Sequence, residues 1–210
     1  MIRILIADDH PVVRSGLKQI LAGETDLAVQ GEAQNGQEVL ELVRKQKCDV
    51  LILDLQMPGR SGLDLLKELK HGYPELHVLV LSLHPEDQMA VRALKAGAAG
   101  YLTKESAGAE LIKAIRKVSH GGKYVSPSLA ERLATALGAG SEKPPSEILS
   151  DQEYLVMRLI ASGKAVGEIA KELSLSAKTI STYRTRIMQK MGMKTNAELT
   201  HYAIRNKLID

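Results

Sequence analysis

The sequence has no phenylalanine and no tryptophan, and six tyrosines are its only aromatic residues in 210 positions. That scarcity argues against an aromatic stacking platform for single-stranded nucleic acid. A single cysteine, Cys48, excludes a disulfide framework and any multi-cysteine zinc site, and it fits a reducing cytoplasm. No apolar run approaches the roughly 18 residues of a membrane span. The opening Met1-Ile2-Arg3-Ile4-Leu5-Ile6-Ala7-Asp8 meets carboxylates too early for a secretory leader. No glycine-rich phosphate loop follows any apolar run, so a nucleotide pocket is not supported. Internal repeats and low-complexity tracts are also missing.

What remains is an ordinary globular composition, 44% apolar and 25% charged, in a chain long enough for one to two domains with a sizeable core. The net charge of +3 becomes informative only when divided along the chain. Residues 1–145 carry 18 Lys/Arg and 18 Asp/Glu, whereas residues 146–210 carry 10 and 7. Within 173–197 stand Lys178, Arg184, Arg186, Lys190 and Lys194 with no acid at all. A basic stripe confined to one segment is the footprint of a phosphate-backbone binder, while a merely solvated helix face mixes both signs.

The first 120 residues alternate short apolar runs with longer amphipathic ones, the signature of βα units around a parallel sheet. Strands are predicted at 2–7, 28–32, 50–53, 78–81 and 99–102, and helices at 12–21, 37–45, 62–70, 87–96 and 109–119. The strand runs are continuously apolar, so both faces of the sheet should be covered. Five such repeats predict a small doubly wound α/β domain, with its ligand site beyond the carboxyl ends of the strands. Gly121-Gly122 stops the fifth helix, 127–137 can form one more, and Gly138 to Ser146 is a linker by composition. The remainder reads as purely helical. Ser150 and Glu153 form a capping box, and helices follow at 166–173, 177–191 and 196–207. The expected organisation is 1–122, a joining segment 123–146, and 147–210.

Three carboxylates fall at strand ends: Asp8 and Asp9 after the first strand, Asp54 after the third. Neighbouring strands would bring them together, and converging carboxylates demand a counter-charge. Hard oxygen ligands with open positions suit Mg²⁺. Ser82 and Lys104 end the fourth and fifth strands, a hydroxyl and an ammonium suited to a phosphoryl group. Taken singly, Asp8-Asp9 could cap the helix after Pro11, Ser82 could be a loop residue and Lys104 a solvated charge.

These stretches carry a resemblance. Ile6-Ala7-Asp8-Asp9-His10, Leu53-Asp54-Leu55-Gln56-Met57-Pro58-Gly59, Leu81-Ser82 and Gly100-Tyr101-Leu102-Thr103-Lys104 resemble the receiver domain of a two-component response regulator, which has the flavodoxin-like five-stranded architecture. The resemblance implies that Asp54 is the phosphoacceptor. It implies further that Asp9, Asp54 and the Gln56 carbonyl hold Mg²⁺, with Asp8 completing the pocket. Ser82 takes the switch-hydroxyl position, Tyr101 that of an aromatic turning inward on phosphorylation, and Lys104 that of the phosphate-binding lysine. A sensor histidine kinase is the implied partner, and the domain would catalyse only its own phosphoryl transfer and slow hydrolysis.

In the last third, Glu168-Ile169-Ala170 and Leu175-Ser176-Ala177-Lys178-Thr179-Ile180 read as helix, short turn, helix. A face of Lys178, Ser181, Thr182, Thr185, Arg186 and Gln189 is left to solvent, as a major-groove recognition helix requires. An ordinary helical hairpin uses the same turn chemistry. The segment 149–207 resembles the four-helix LuxR-type output domain of the NarL/FixJ subfamily. The expected DNA contacts are Lys178, Thr179, Ser181, Thr182, Thr185, Arg186, Lys190 and Lys194. The resemblance implies an operator in double-stranded DNA, bound by a homodimer when phosphorylated. Two other readings compete: a protein-binding receiver whose helical tail contacts protein, and a hydrolase using the acids. The second lacks a nucleophile–base pair, since His10 is not expected in the strand-end set.

Overall fold

The computed structural model describes residues 1–59, 61–83, 88–138, 145–206 and 208–209. The chain forms two compact units, Met1–Ala136 and Leu137–Asp210. The first is built on β1 (Ile2–Ala7), β2 (Leu27–Ala33), β3 (Val50–Leu53), β4 (His77–Ser82) and β5 (Gly100–Thr103), all parallel in the order β2-β1-β3-β4-β5. The helices between and after them are α1 (Pro11–Leu21), α2 (Gly36–Lys45), α3 (Gly62–Gly72), α4 (Gln88–Lys95) and α5 (Ala107–Ser119). This order reverses at β1 and β3, and a doubly wound sheet opens its ligand crevice beyond the carboxyl ends at such a point.

The continuous apolar strands are explained by helices on both faces. On one face, Ile4, Ile6, Ile52, Leu79, Leu81 and Leu102 pack with Leu17 and Leu21 of α1 and Leu111, Ile115 and Val118 of α5. The alternate residues Leu5, Leu51, Leu53, Val78 and Val80 point the other way and are equally buried. Cys48 donates to the Val50 carbonyl, and burial pushes its thiol up to about 12, so it stays protonated and inert at neutral pH.

The predicted elements shift by a residue or two at their ends. β5 starts at Gly100 rather than Ala99, and Gly100 bridges Tyr124 as well as pairing with Leu79. Tyr124 thereby belongs to the core of the first unit, and α6 (Pro127–Gly138) follows it. The division between units, at Ala136, lies inside the 123–146 stretch expected to join them. Of the Gly138–Ser146 linker, 139–144 lie outside the described residues. A single 3-10 turn, Pro145–Ile148, was not anticipated by the sequence pattern.

The second unit is α7 (Asp151–Ala161), α8 (Val166–Glu172), α9 (Ala177–Met191) and α10 (Asn196–Arg205). Ser150 Oγ accepts from the Glu153 N–H while Glu153 accepts from the Ser150 N–H, which completes the capping box. α9 is capped by Ser176 at its start and ended by Gly192 in the left-handed region, a conformation that favours glycine. Tyr154, Val156, Met157, Ile169, Ile180, Ile187, Leu199 and Ala203 fill the small core. α10 stops at Arg205, short of the expected 207, and the chain turns back so that Arg158 donates to the Leu208 carbonyl. No helix among the described residues is long and apolar enough to cross a membrane.

Two glycines of the first unit give a contrasting test. A Cβ on Gly62 would lie 2.4 Å from Leu55 Cα, a backbone contact that cannot yield cheaply, whereas one on Gly16 in α1 meets nothing within 4 Å. Gly62→Ala is expected to destabilise the unit by about 1–3 kcal/mol. Gly16→Ala is expected to stabilise it by about 0.5–1 kcal/mol. Chemical denaturation of the two variants beside the parent checks both signs.

Candidate functional site

The carboxyl ends of β1 and β3 deliver the acids. Ala7 pairs with Leu53, and the Asp54 N–H donates to the Ala7 carbonyl at 2.8 Å, so Asp8 and Asp54 emerge side by side. Both side chains are 2% exposed. From the end of β5, Lys104 Nζ lies 2.6 Å from Asp8 Oδ2 and 2.6 Å from Asp54 Oδ2. Lys104 is held there by its N–H, which donates to the Ser82 carbonyl at 2.7 Å. Burial pushes the Asp54 carboxyl up, and the Lys104 ammonium opposes that rise without cancelling it. Burial works against the charge on Lys104, but Asp54 and Asp8 together hold its pKa above the ordinary lysine value. Asp54 Oδ1 also accepts from the Gln56 N–H at 2.9 Å, which fixes the loop after β3.

Asp9 stands on the open side of this group. Ligand atoms of Asp8, Asp9, His10 and Asp54 all lie within 4.8 Å of one another. Asp8 Oδ2 and Asp9 Oδ1 are buried and accept no aligned hydrogen bond; their close contacts are Lys104 Nζ at 2.6 Å and His10 Nδ1 at 2.8 Å respectively. Such oxygens suit a hard cation, so the donor set fits Mg²⁺.

His10 corrects the expectation that it stands apart. Its N–H donates to Asp8 Oδ1 at 2.8 Å, and its Nδ1 lies 2.8 Å from Asp9 Oδ1. Arg14 was also missed: its Nη1 donates to the Asp8 carbonyl at 2.7 Å. The sequence did hold a signal for it, because Arg14 shares the buried stripe of α1 with Leu17 and Leu21. Ser82 and Tyr101 are both fully buried.

On α9, Lys178, Ser181, Thr182, Thr185, Arg186 and Gln189 are exposed as expected. The hydroxyls of Ser181, Thr182 and Thr185 donate to carbonyls one turn back at 2.9, 3.0 and 3.1 Å. Thr179 is half-buried, and its N–H donates to Ser176 Oγ at 3.0 Å as part of the helix cap. Lys190 Nζ lies 2.6 Å from Glu153 Oε2, and Arg184 Nε donates to Asn196. Lys178 and Arg186 of α9, and Lys194 beyond its end, have no ion-pair partner among the described residues.

Comparison with known proteins matches both units. Residues 4–116 fit the response regulator receiver domain, and residues 147–203 fit the bacterial regulatory proteins of the luxR family. The chain is a two-component response regulator of the NarL/FixJ, LuxR-type family. It is 38% identical to response regulator GacA of Pseudomonas viridiflava, over 100% of this chain and 99% of that protein. It is 35% identical to response regulator UvrY of Escherichia coli K12, over 99% and 96% respectively. Among solved structures, a complex of the two-component response regulator RcsB with DNA aligns with a TM-score of 0.61 at 31% identity, covering 96% of each chain. RcsB from Salmonella enterica serovar Typhimurium, bound to a promoter in the presence of phosphomimetic BeF3⁻, aligns at 0.59 and 32%, covering 96% of this chain and 98% of that one. This response regulator is accordingly a DNA-binding transcriptional regulator and not a conventional enzyme.

The Glu153–Lys190 pair gives the output domain a pH dependence. Burial alone would raise the Glu153 carboxyl, but the Lys190 ammonium and the Ser150 N–H more than offset it, so its pKa lies below the usual carboxylate value. A depressed folded pKa means that the stabilisation is present at neutral pH and is lost as pH falls through the carboxylate range. Glu153→Gln is expected to lower the thermal midpoint of the output domain at neutral pH and to flatten its decline on acidification. Melting curves of parent and variant across that range, followed by circular dichroism, read both effects.

Proposed function

We propose that Asp54 accepts a phosphoryl group from the phosphohistidine of a sensor histidine kinase in the cytoplasm, and that this modification controls operator binding by α9. The observation that carries the reading is the Lys104 ammonium, 2.6 Å from oxygens of both Asp8 and Asp54 at the switch point of the sheet. In the transfer, an Asp54 carboxylate oxygen forms the new P–O bond as the P–N bond to the donor imidazole breaks. Asp9, Asp54 and the Gln56 carbonyl would hold Mg²⁺, with Asp8 completing the pocket. The cation, when bound, offsets the negative charge that gathers on the phosphoryl oxygens. Lys104 supplies a second positive charge, and the Ser82 hydroxyl a hydrogen bond, to an oxygen of the transferred group. Tyr101 backs Ser82 from its enclosed position. The receiver catalyses nothing beyond this transfer and its slow hydrolysis.

Phosphorylation puts the about 1.5 to 2 negative charges of a phosphoryl group in place of the single charge of the Asp54 carboxylate, which keeps Lys104 at this rim, draws Ser82 toward the new group and biases the β4–α4–β5 surface. The output domain then binds a two-fold operator as a homodimer. One recognition helix supplies few base contacts, at about 1–3 kcal/mol each, so two copies are needed for useful discrimination. Thr179, Ser181, Thr182 and Thr185 line the groove-facing side, and Lys178, Arg186 and Lys194 meet phosphates. Lys190 adds less to DNA affinity, because Glu153 already compensates its charge.

Asp54→Asn is expected to abolish labelling by a small phosphodonor, and chelation of Mg²⁺ to slow labelling of the parent severely. Undiminished labelling of the Asn variant with Mg²⁺ present would overturn the assignment. On DNA, Lys178→Ala should weaken binding and lower the salt slope by about one unit. Lys190→Ala should cost stability with a smaller change in slope. Titration on one operator fragment at several salt concentrations separates the two lysines.

A further inference from the structure

Arg14 places a buried charge in the second turn of α1 that the acidic rim does not itself explain. Its residue exposure is 8%, and a guanidinium withdrawn from water must be fully paired to persist. Its Nε donates to Glu32 Oε2 of β2 at 2.9 Å, and its Nη1 donates to the main-chain carbonyl of Asp8 at 2.7 Å. Glu32 is steadied in turn by Lys18, 2.5 Å from its other oxygen. The Asp8 N–H is already engaged by the Ala33 carbonyl at 3.1 Å. Both sides of Asp8 are thus fixed, its amide by the sheet and its carbonyl by Arg14. That carbonyl belongs to the peptide joining Asp8 to Asp9, so its direction sets how both carboxylates leave the end of β1.

We infer that Arg14 is a positioning residue for the divalent cation: it never touches the ion, but it fixes the Asp8–Asp9 peptide so that the two carboxylates are presented to it. The inference rests on the reading of the acidic rim as a Mg²⁺ site. Two separated N–H groups in one rigid plane let a single side chain span Glu32 and the Asp8 carbonyl. A lysine, with one compact ammonium, holds one of the two partners at full strength. Loss of both donors leaves the Asp8 carbonyl without its partner in a buried setting, and the peptide is released to turn.

The test uses the full chain and four variants: Arg14→Met, Arg14→Lys, Glu32→Gln and, as a control, Arg116→Met. Arg116 belongs to a separate ion network with Glu24 and Asp26 at the start of β2, away from the acidic rim. Mg²⁺ affinity is measured by calorimetry, labelling by acetyl phosphate is followed against Mg²⁺ concentration, and each variant's thermal midpoint is recorded. Arg14→Met is expected to raise the Mg²⁺ dissociation constant about tenfold, the size of effect seen when a partner behind a metal ligand is removed. The Mg²⁺ concentration for half-maximal labelling should rise by the same factor, while the rate at saturating Mg²⁺ stays within about twofold. Arg14→Lys and Glu32→Gln should fall between parent and Arg14→Met. Arg116→Met should lower the midpoint and leave Mg²⁺ affinity unchanged. Parental Mg²⁺ affinity in Arg14→Met overturns the inference, as does an equal loss in Arg116→Met. If Arg14→Met does not fold, the same reading is taken from Arg14→Lys and Glu32→Gln, and parental affinity in both overturns it. A parent chain that binds no Mg²⁺ overturns the metal site, and this inference with it; a parent that binds while the variants bind equally well overturns only the role of Arg14.

Discussion

The carboxylates of Asp8 and Asp54 lie below the surface of the receiver, and the ammonium of Lys104 sits within 2.6 Å of an oxygen of each. Withdrawing charges from water is costly unless they are paired with good geometry, so this three-membered contact constrains everything around it. It requires β1 and β3 to be neighbours, which the β2-β1-β3-β4-β5 order supplies. It requires a side chain long enough to reach from the end of β5 across the end of β4, which a lysine is. It also requires the two loops that bear the acids to be stiff. The Gln56 N–H and Gly62 stiffen one of them, the first as a donor to Asp54 and the second by close approach to Leu55. Around β1 the equivalent constraints come from Ala33, His10 and Arg14.

Much of this could be read from sequence, and the reasons differ by element. Continuous apolar strands such as Val50–Leu53 announced a sheet covered on both sides, and every residue of that strand is buried. The acids, Ser82 and Lys104 were legible because strand ends are placed by periodicity alone, and their side chains follow. Ser150 and Glu153 were legible as a cap because that bond pattern is local, three residues apart. What periodicity does not carry is a long-range polar contact. Arg14 meets Glu32 eighteen residues away, and Lys190 meets Glu153 at a separation of thirty-seven. His10 escaped for a different reason: it lies one residue past the strand-end acids, and the β1–α1 turn folds it back onto them. The bridge from Gly100 to Tyr124 escaped likewise, because no local pattern connects the two.

The two units hold their polar groups by different means. In the receiver Asp8, Asp54 and Lys104 are buried against one another, so any new negative charge on that rim meets partners that are already engaged. On α9, Lys178 and Arg186 face outward with no ion-pair partner among the described residues, while Arg184 donates to the neutral Asn196 and Lys190 is paired with Glu153. Signal reception and DNA contact thus rest on opposite electrostatic arrangements within one chain.

The backbone bonds made by the hydroxyls of Ser181, Thr182 and Thr185 have a consequence for how such a regulator diversifies. Their hydroxyls hydrogen-bond within their own helix and the side chains are exposed, while the core of the domain is filled from α9 by Ile180, Ile187 and Met188. On the proposed reading of α9 as the recognition helix, replacing them alters the chemical pattern offered to a base edge while the packing that holds the helix in place is untouched. Duplicated copies of such a gene can therefore drift to new promoters through a handful of surface exchanges, without first acquiring stabilising changes elsewhere. Lys190 lies outside that freedom, since its exchange strands a buried carboxylate.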